Sequence, residues 1–144
     1  MNADTAGAEN EAANTVVLDS SVFVAIFKGE TDADPLTERT LSYKRRVTSA
    51  ATWLESAIVC EGATKSGGGE RFQRIVTLLG VEIVPFTATQ THVALEAFRL
   101  FGKGRGAKAS LNFGDCFVYA LAKELSAPLL FKGDDFTHTD IIPA

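Results

Sequence analysis

Cysteine and histidine are scarce in these 144 residues, with two of each. Cys60 and Cys116 both fall in stretches of helical pattern and show no CxxC spacing, so they read as buried, reduced thiols. His92 and His138 show no ligand spacing, which argues against a zinc site. No apolar run approaches the ~18 residues that a membrane span needs. The opening stretch "MNADTAGAENEAANT" lacks the basic and apolar regions of a signal peptide, and a cytoplasmic protein is expected. Positive charge is also in short supply, the formal net charge being −4. That argues against a protein held on nucleic acid by a broad basic surface. It leaves room for an enzyme that touches nucleic acid locally, through bound metal and a few cations.

What is present is a core-forming composition. Hydrophobic residues make up 46% of the chain, enough for one sizeable core in one domain. Residues 1–15 are expected to form a disordered polar tail and residues 16–144 the domain. "TVVLDSSVFVAIFKG" reads as a buried strand ending at Asp19, then a short helix that Asp19, Ser20 or Ser21 can cap. "DADPLTERTLSYKRR" reads as a second helix with Pro35 near its first turn. "VTS" reads as a short strand, followed by a helix from about Ala50 to Ala63 that Gly67 to Gly69 break. "ERFQRIVTLLG" is a helix stopped by Gly80, and "VEIVPF" a strand buried on both faces. "TATQTHVALEAFRLFG" is a helix with Ala94, Leu95, Phe98 and Phe101 on one face. A basic glycine loop, "GKGRGAKA", leads into a helix starting near Asn112 to Asp115. "APLLF" is a short strand, "KGDDF" a turn, and "TDII" a last edge strand. Strands alternating with helices predict an α/β sandwich with a mainly parallel sheet.

Ligands in such folds gather at the C-terminal ends of the strands. Asp19 falls there, as do Asp134 and Asp135. Asp115 sits in the first turn of an otherwise apolar helix, and Glu55 lies one turn into the helix after "VTS". Each has a simpler reading by itself. Asp19 and Asp115 can be helix caps, Glu55 a solvated helix residue, and Asp134 and Asp135 turn formers. Their conjunction at one sheet edge favours a cation site, because packed carboxylates repel unless a cation neutralises them. An all-oxygen donor set suits Mg²⁺ or Mn²⁺, and the chemistry such a site supports is phosphodiester hydrolysis. No histidine pair fits a metal-free acid–base mechanism.

Four stretches resemble the PIN-domain ribonucleases of the VapC toxin type: "VVLDSSVFVAIF", "SAATWLESAIV", "FGKGRGAKASLNFGDCFVYALAK" and "PLLFKGDDFTHTDI". The resemblance runs from about Val16 to the C-terminus. It implies a three-layer α/β/α sandwich and a Mg²⁺- or Mn²⁺-dependent endoribonuclease holding one or two ions. The implied catalytic and metal-binding acids are Asp19, Glu55, Asp115 and Asp135. Asp134 stands where the family usually has asparagine and is a candidate extra ligand or base. Ser21 and Asn112 match supporting positions. Lys103, Arg105 and Lys108 would grip RNA phosphates, whereas Lys44, Arg45 and Arg46 read as a solvated cluster. The implied products are 5′-phosphate and 3′-hydroxyl ends, on tRNA or rRNA. The implied partners are a second copy of the chain and a cognate antitoxin, whose helix would suit a groove between "VFVAIF" and "LTERTLSYKR". Three other readings compete. They are a housekeeping nuclease on DNA or structured RNA, a receiver-like phosphoacceptor using Lys132, and a non-catalytic binding module.

Overall fold

The computed structural model describes residues 3–144. Four parallel strands form one sheet in the order β3-β2-β1-β4. They are β1 (Thr15–Leu18), β2 (Arg45–Ser49), β3 (Val81–Val84) and β4 (Leu129–Leu130). Val17 pairs with Val47 on one side and Leu129 on the other. All four residues of β1 are buried, because both faces of this central strand are covered.

Side-chain alternation along β1 divides the core in two. Val17 points to a cluster with Val47, Val118, Leu121 and Leu129. This face is covered by α6 (Ala88–Phe101) and α7 (Phe113–Leu125). Val16 and Leu18 point the other way, to Val22, Phe23, Phe72 and Val76. That face is covered by α2 (Ser20–Lys28), α4 (Ala50–Gly62) and α5 (Gly68–Leu78). Phe23 and Phe72 meet edge to face at 5.6 Å and are fully buried. Truncating either to alanine should cost about 3–5 kcal/mol. The three-layer α/β/α sandwich expected from the sequence is the observed fold.

Several elements differ from the sequence expectation. The polar N-terminal stretch forms helix α1 (Ala3–Ala13) instead of an irregular tail, with residues 1 and 2 outside the described region. Its end is tied to the sheet, since Thr15 Oγ1 donates to the Glu11 carbonyl at 2.8 Å. Helix α3 (Ala33–Leu41) stops before Lys44, and Arg45 and Arg46 begin β2. β3 is an edge strand and not a strand buried on both faces: Ile83 is 46% exposed, and Glu82 receives a hydrogen bond from Arg45 at 3.2 Å. On α6 the buried residues are Gln90, Ala94 and Ala97, while Leu95 and Phe98 face outward. Small residues allow α6 to lie close against α7. "TDII" adds no strand. The C-terminus makes only an isolated bridge, with Leu129 N–H donating to Ile142 at 2.9 Å and Ala144 N–H to Leu129 at 3.0 Å.

Candidate active site

The strand order brings the acids together. β1 ends at Asp19, with β2 on one side and β4 on the other. α4, which carries Glu55, follows β2, and the turn holding Asp134 and Asp135 follows β4. The N-terminus of α7 lies over the same edge. Asp19 and Asp115 are 5% and 6% exposed, so both carboxylates sit in the protein wall. Glu55, Asp134 and Asp135 are exposed at its rim.

Asp19 is the N-cap of α2. Its Oδ2 accepts from the Ser21 backbone N–H at 3.1 Å and from the Ser21 hydroxyl at 2.6 Å. The same hydroxyl accepts from the Lys132 backbone N–H at 2.9 Å. Ser21 thereby joins the end of β1 to the segment leaving β4. Asp115 belongs to a capping box. Its Oδ2 accepts from Asn112 N–H, and its own N–H donates to Asn112 Oδ1, both at 2.9 Å. The capping reading and the site reading of both aspartates therefore coexist. In each, the cap engages Oδ2.

Glu55 reaches the same place from α4. The atoms nearest to where a Gly114 Cβ would sit are all from the Glu55 carboxylate. Asp135 lies within hydrogen-bonding reach of Asp115. Asp134 instead uses its carbonyl to accept from Thr137 N–H at 3.1 Å, within the turn.

Burial pushes the Asp19 carboxyl above the ordinary carboxylate range. Hydrogen bonds from Ser21 oppose this and the charge of Glu55 adds to it. Burial also pushes Asp115 up to about 7. The Asn112 hydrogen bond opposes that rise, while the charges of Asp19 and Asp135 and the hydrogen bond with Asp135 reinforce it. Among the described residues, none of Asp19, Glu55, Asp115 and Asp135 has an ion-pair partner. No three acid, histidine or cysteine side chains among those residues close into a ready cage for an ion. An oxygen-only donor set of uncompensated carboxylates fits a hard divalent cation, and Mg²⁺ keeps several waters and needs only one or two carboxylates.

The structure brings some other expected residues close and leaves others apart. Lys103, Arg105 and Lys108 are exposed on the loop that precedes Asn112. The loop is closed at its neck, where Lys103 N–H donates to Leu111 and Leu111 N–H to Phe101, both at 2.9 Å. Arg45 and Arg46 are spoken for: Arg45 pairs with Glu82, and Arg46 donates to the Tyr43 carbonyl at 2.7 Å. Both cysteines are buried free thiols. His92 is exposed on α6 and His138 in the final turn. Lys132 Nζ pairs with Glu30 and, at 3.0 Å, with Asp32. That engagement removes the receiver-like reading, which needs a free lysine at the acids. Sequence reasoning missed the positioning part of Lys132, whose only signal was its place directly after β4. Of the expected groove between α2 and α3, Val22, Phe23 and Phe27 are buried in the core, while Val24, Ile26 and Leu36 are half-buried and Leu41 is exposed. α4 also exposes Leu54, Ile58 and Val59 beside Glu55.

A parallel sheet with carboxylates gathered at its C-terminal edge defines the class. Residues 16–142 match the PIN domain, and the chain belongs to that family. Its similarity is to proteins of the VapC kind. It is 41% identical over 126 residues to ribonuclease VapC30 of Mycobacterium tuberculosis, covering 88% of this chain and 95% of the relative. Among solved structures, VapC20 of the same organism, described as a sarcin–ricin loop cleaving toxin, superposes with a TM-score of 0.69. The identity there is 14%, over 90% of this chain and 98% of that one. VapBC2 of Rickettsia felis, bound to a promoter DNA fragment, superposes with a TM-score of 0.66 at 19% identity, over 90% and 97% of the two chains.

Proposed function

We propose that the chain is the toxin of a toxin–antitoxin pair, an endoribonuclease that cleaves tRNA or rRNA with the help of Mg²⁺ or Mn²⁺. The observation that carries this reading is the meeting of Asp19, Glu55, Asp115 and Asp135 at one sheet edge, with no ion-pair partner for any of them among the described residues. The kinship with VapC ribonucleases supports the substrate class.

Asp19, Asp115, Glu55 and Asp135 would hold one or two divalent ions, with Asp134 at the rim as a candidate further ligand. A divalent ion supplies charge neutralisation at the phosphate and makes water a better nucleophile. The protein's own groups do the rest. Ser21 and Asn112 fix Asp19 and Asp115 through the hydrogen bonds described above. The buried pair forms the floor of the site and the exposed pair its mouth. Lys103, Arg105 and Lys108 offer phosphate contacts beside it. In this reading a water is the nucleophile. The products then carry 5′-phosphate and 3′-hydroxyl ends.

Two exposed apolar surfaces suit the partners of this reading, since large patches of this kind mark interaction sites. Leu54, Ile58 and Val59 flank Glu55 and suit an antitoxin helix. Phe113, 80% exposed, borders a cavity of about 430 Å³ between α6 and α7 and suits a second copy of the chain. Among the described residues no helix is long and apolar enough to cross a membrane.

The test is cleavage of a mixed tRNA and rRNA pool by antitoxin-free protein in Mg²⁺, with Asp115→Asn and EDTA as controls. Cleavage by the native protein alone, with 5′-phosphate ends, is the expected result. A 2′,3′-cyclic phosphate product, or equal cutting by Asp115→Asn, would sink the reading.

A further inference from the structure

Gly114 occupies the second position of α7 and is buried. Its φ is not positive, so its backbone conformation does not call for glycine. Glycine also weakens a helix relative to alanine. The sequence thus carries a helix-weakening residue at a place where the backbone has no need of it.

Space explains it. A methyl group on Gly114 would stand 2.9 Å from Glu55 Cδ and 3.0 Å from Oε1, and closer still to Oε2. All three nearest atoms belong to that one carboxylate. We propose that Gly114 is a positioning residue, whose missing side chain lets Glu55 close onto the first turn of α7 beside Asp115 and so complete the divalent-cation site. The inference rests on the active-site reading above. The positive end of the α7 dipole favours a carboxylate there. The obstructed group is the tip of a flexible, exposed side chain. An added methyl therefore displaces Glu55 and not the backbone, and the fold and the cation site respond separately.

The experiment is Mn²⁺ titration of the full chain, read by the EPR signal of free Mn²⁺, with thermal melts alongside. Gly114→Ala should bind Mn²⁺ on the order of 10-fold more weakly, in the range that displacing an orienting group produces. It should melt at the same or a higher temperature. The double variant Gly114→Ala/Glu55→Gln should bind no more weakly than Glu55→Gln alone, since both changes act through one carboxylate. Native affinity in Gly114→Ala, a melting temperature lowered by several degrees, or a full additional loss in the double variant would each overturn the inference. Asp115→Asn separates the two levels. If it binds as the native protein does, the active-site reading falls and takes this inference with it. If it binds more weakly while Gly114→Ala binds normally, only the inference about Gly114 falls.

Discussion

The Ser21 hydroxyl donates to Asp19 at 2.6 Å while accepting from the Lys132 backbone at 2.9 Å, so one side chain fastens the first acid to the strand that leads to the last. The Lys132 side chain extends the same strap to Glu30 and Asp32, across the turn between α2 and α3.

Ser21→Ala removes both ends of that link. The expected result is roughly a 10-fold loss of cleavage, the scale of an orienting partner, with about 1 kcal/mol of stability lost. Ser21→Thr keeps the hydroxyl and should retain most of both. Initial-rate assays and urea melts of the three proteins check this.

Asp115 titrates near 7 in the folded protein, against 3.8 for an ordinary aspartate. A folded-state pKa above the unfolded one gives stability that is fully present below pH 4 and is lost as pH rises through about 7. Metal-free protein should therefore melt progressively lower between pH 5 and pH 8, by on the order of 5 °C. Asp115→Asn should flatten that slope. A slope of the opposite sign in this window would contradict the assignment.

The same proton competes with cations. Mn²⁺ affinity should rise between about pH 6 and pH 8 as Asp115 ionises, and level off above. Titrations at a series of pH values, at constant ionic strength, give the profile.

Lys103, Arg105 and Lys108 stand exposed without ion-pair partners among the described residues. Replacing all three by alanine should weaken RNA binding and reduce the slope of log affinity against log salt by about 2, at ~0.7 per single-strand phosphate contact. Melting should be unchanged. An unaltered slope would return the loop to a solvated surface.

Helix α1 packs beside the start of β1 but contributes nothing to the acidic edge. We expect a chain beginning at Asn14 to keep its cleavage activity with a modest loss of stability, since Glu11 contacts to Thr15 and Arg45 go with it. Loss of cleavage in this truncation, with the fold retained, would assign α1 a part in the reaction.

The buried helices and the central strand were legible in the sequence because their signals are local. The β-branched run at Val16 sets a strand, Asp115 marks the first turn of a helix, and Gly67, at φ 73°, stands between α4 and α5. The misread elements depended on neighbours. "VEIV" has the composition of a buried strand, but its place at the sheet edge leaves Ile83 and Glu82 open to water. The apolar pattern of α6 favoured Leu95 and Phe98, yet close packing against α7 selects Ala94 and Ala97 for burial.

Residue types and spacing determined which acids stood at strand ends and helix starts, and that a hard cation would suit them. Tertiary structure decided which of them meet. The crossover that sets β1 between β2 and β4 puts the elements carrying Glu55 and Asp135 directly after its two neighbouring strands. Only the packing of α4 on α7 sets the Glu55 carboxylate against Gly114. That approach joins residues nearly sixty positions apart, and the free energy of such a contact depends on the whole core that holds the two helices together, which no local pattern encodes.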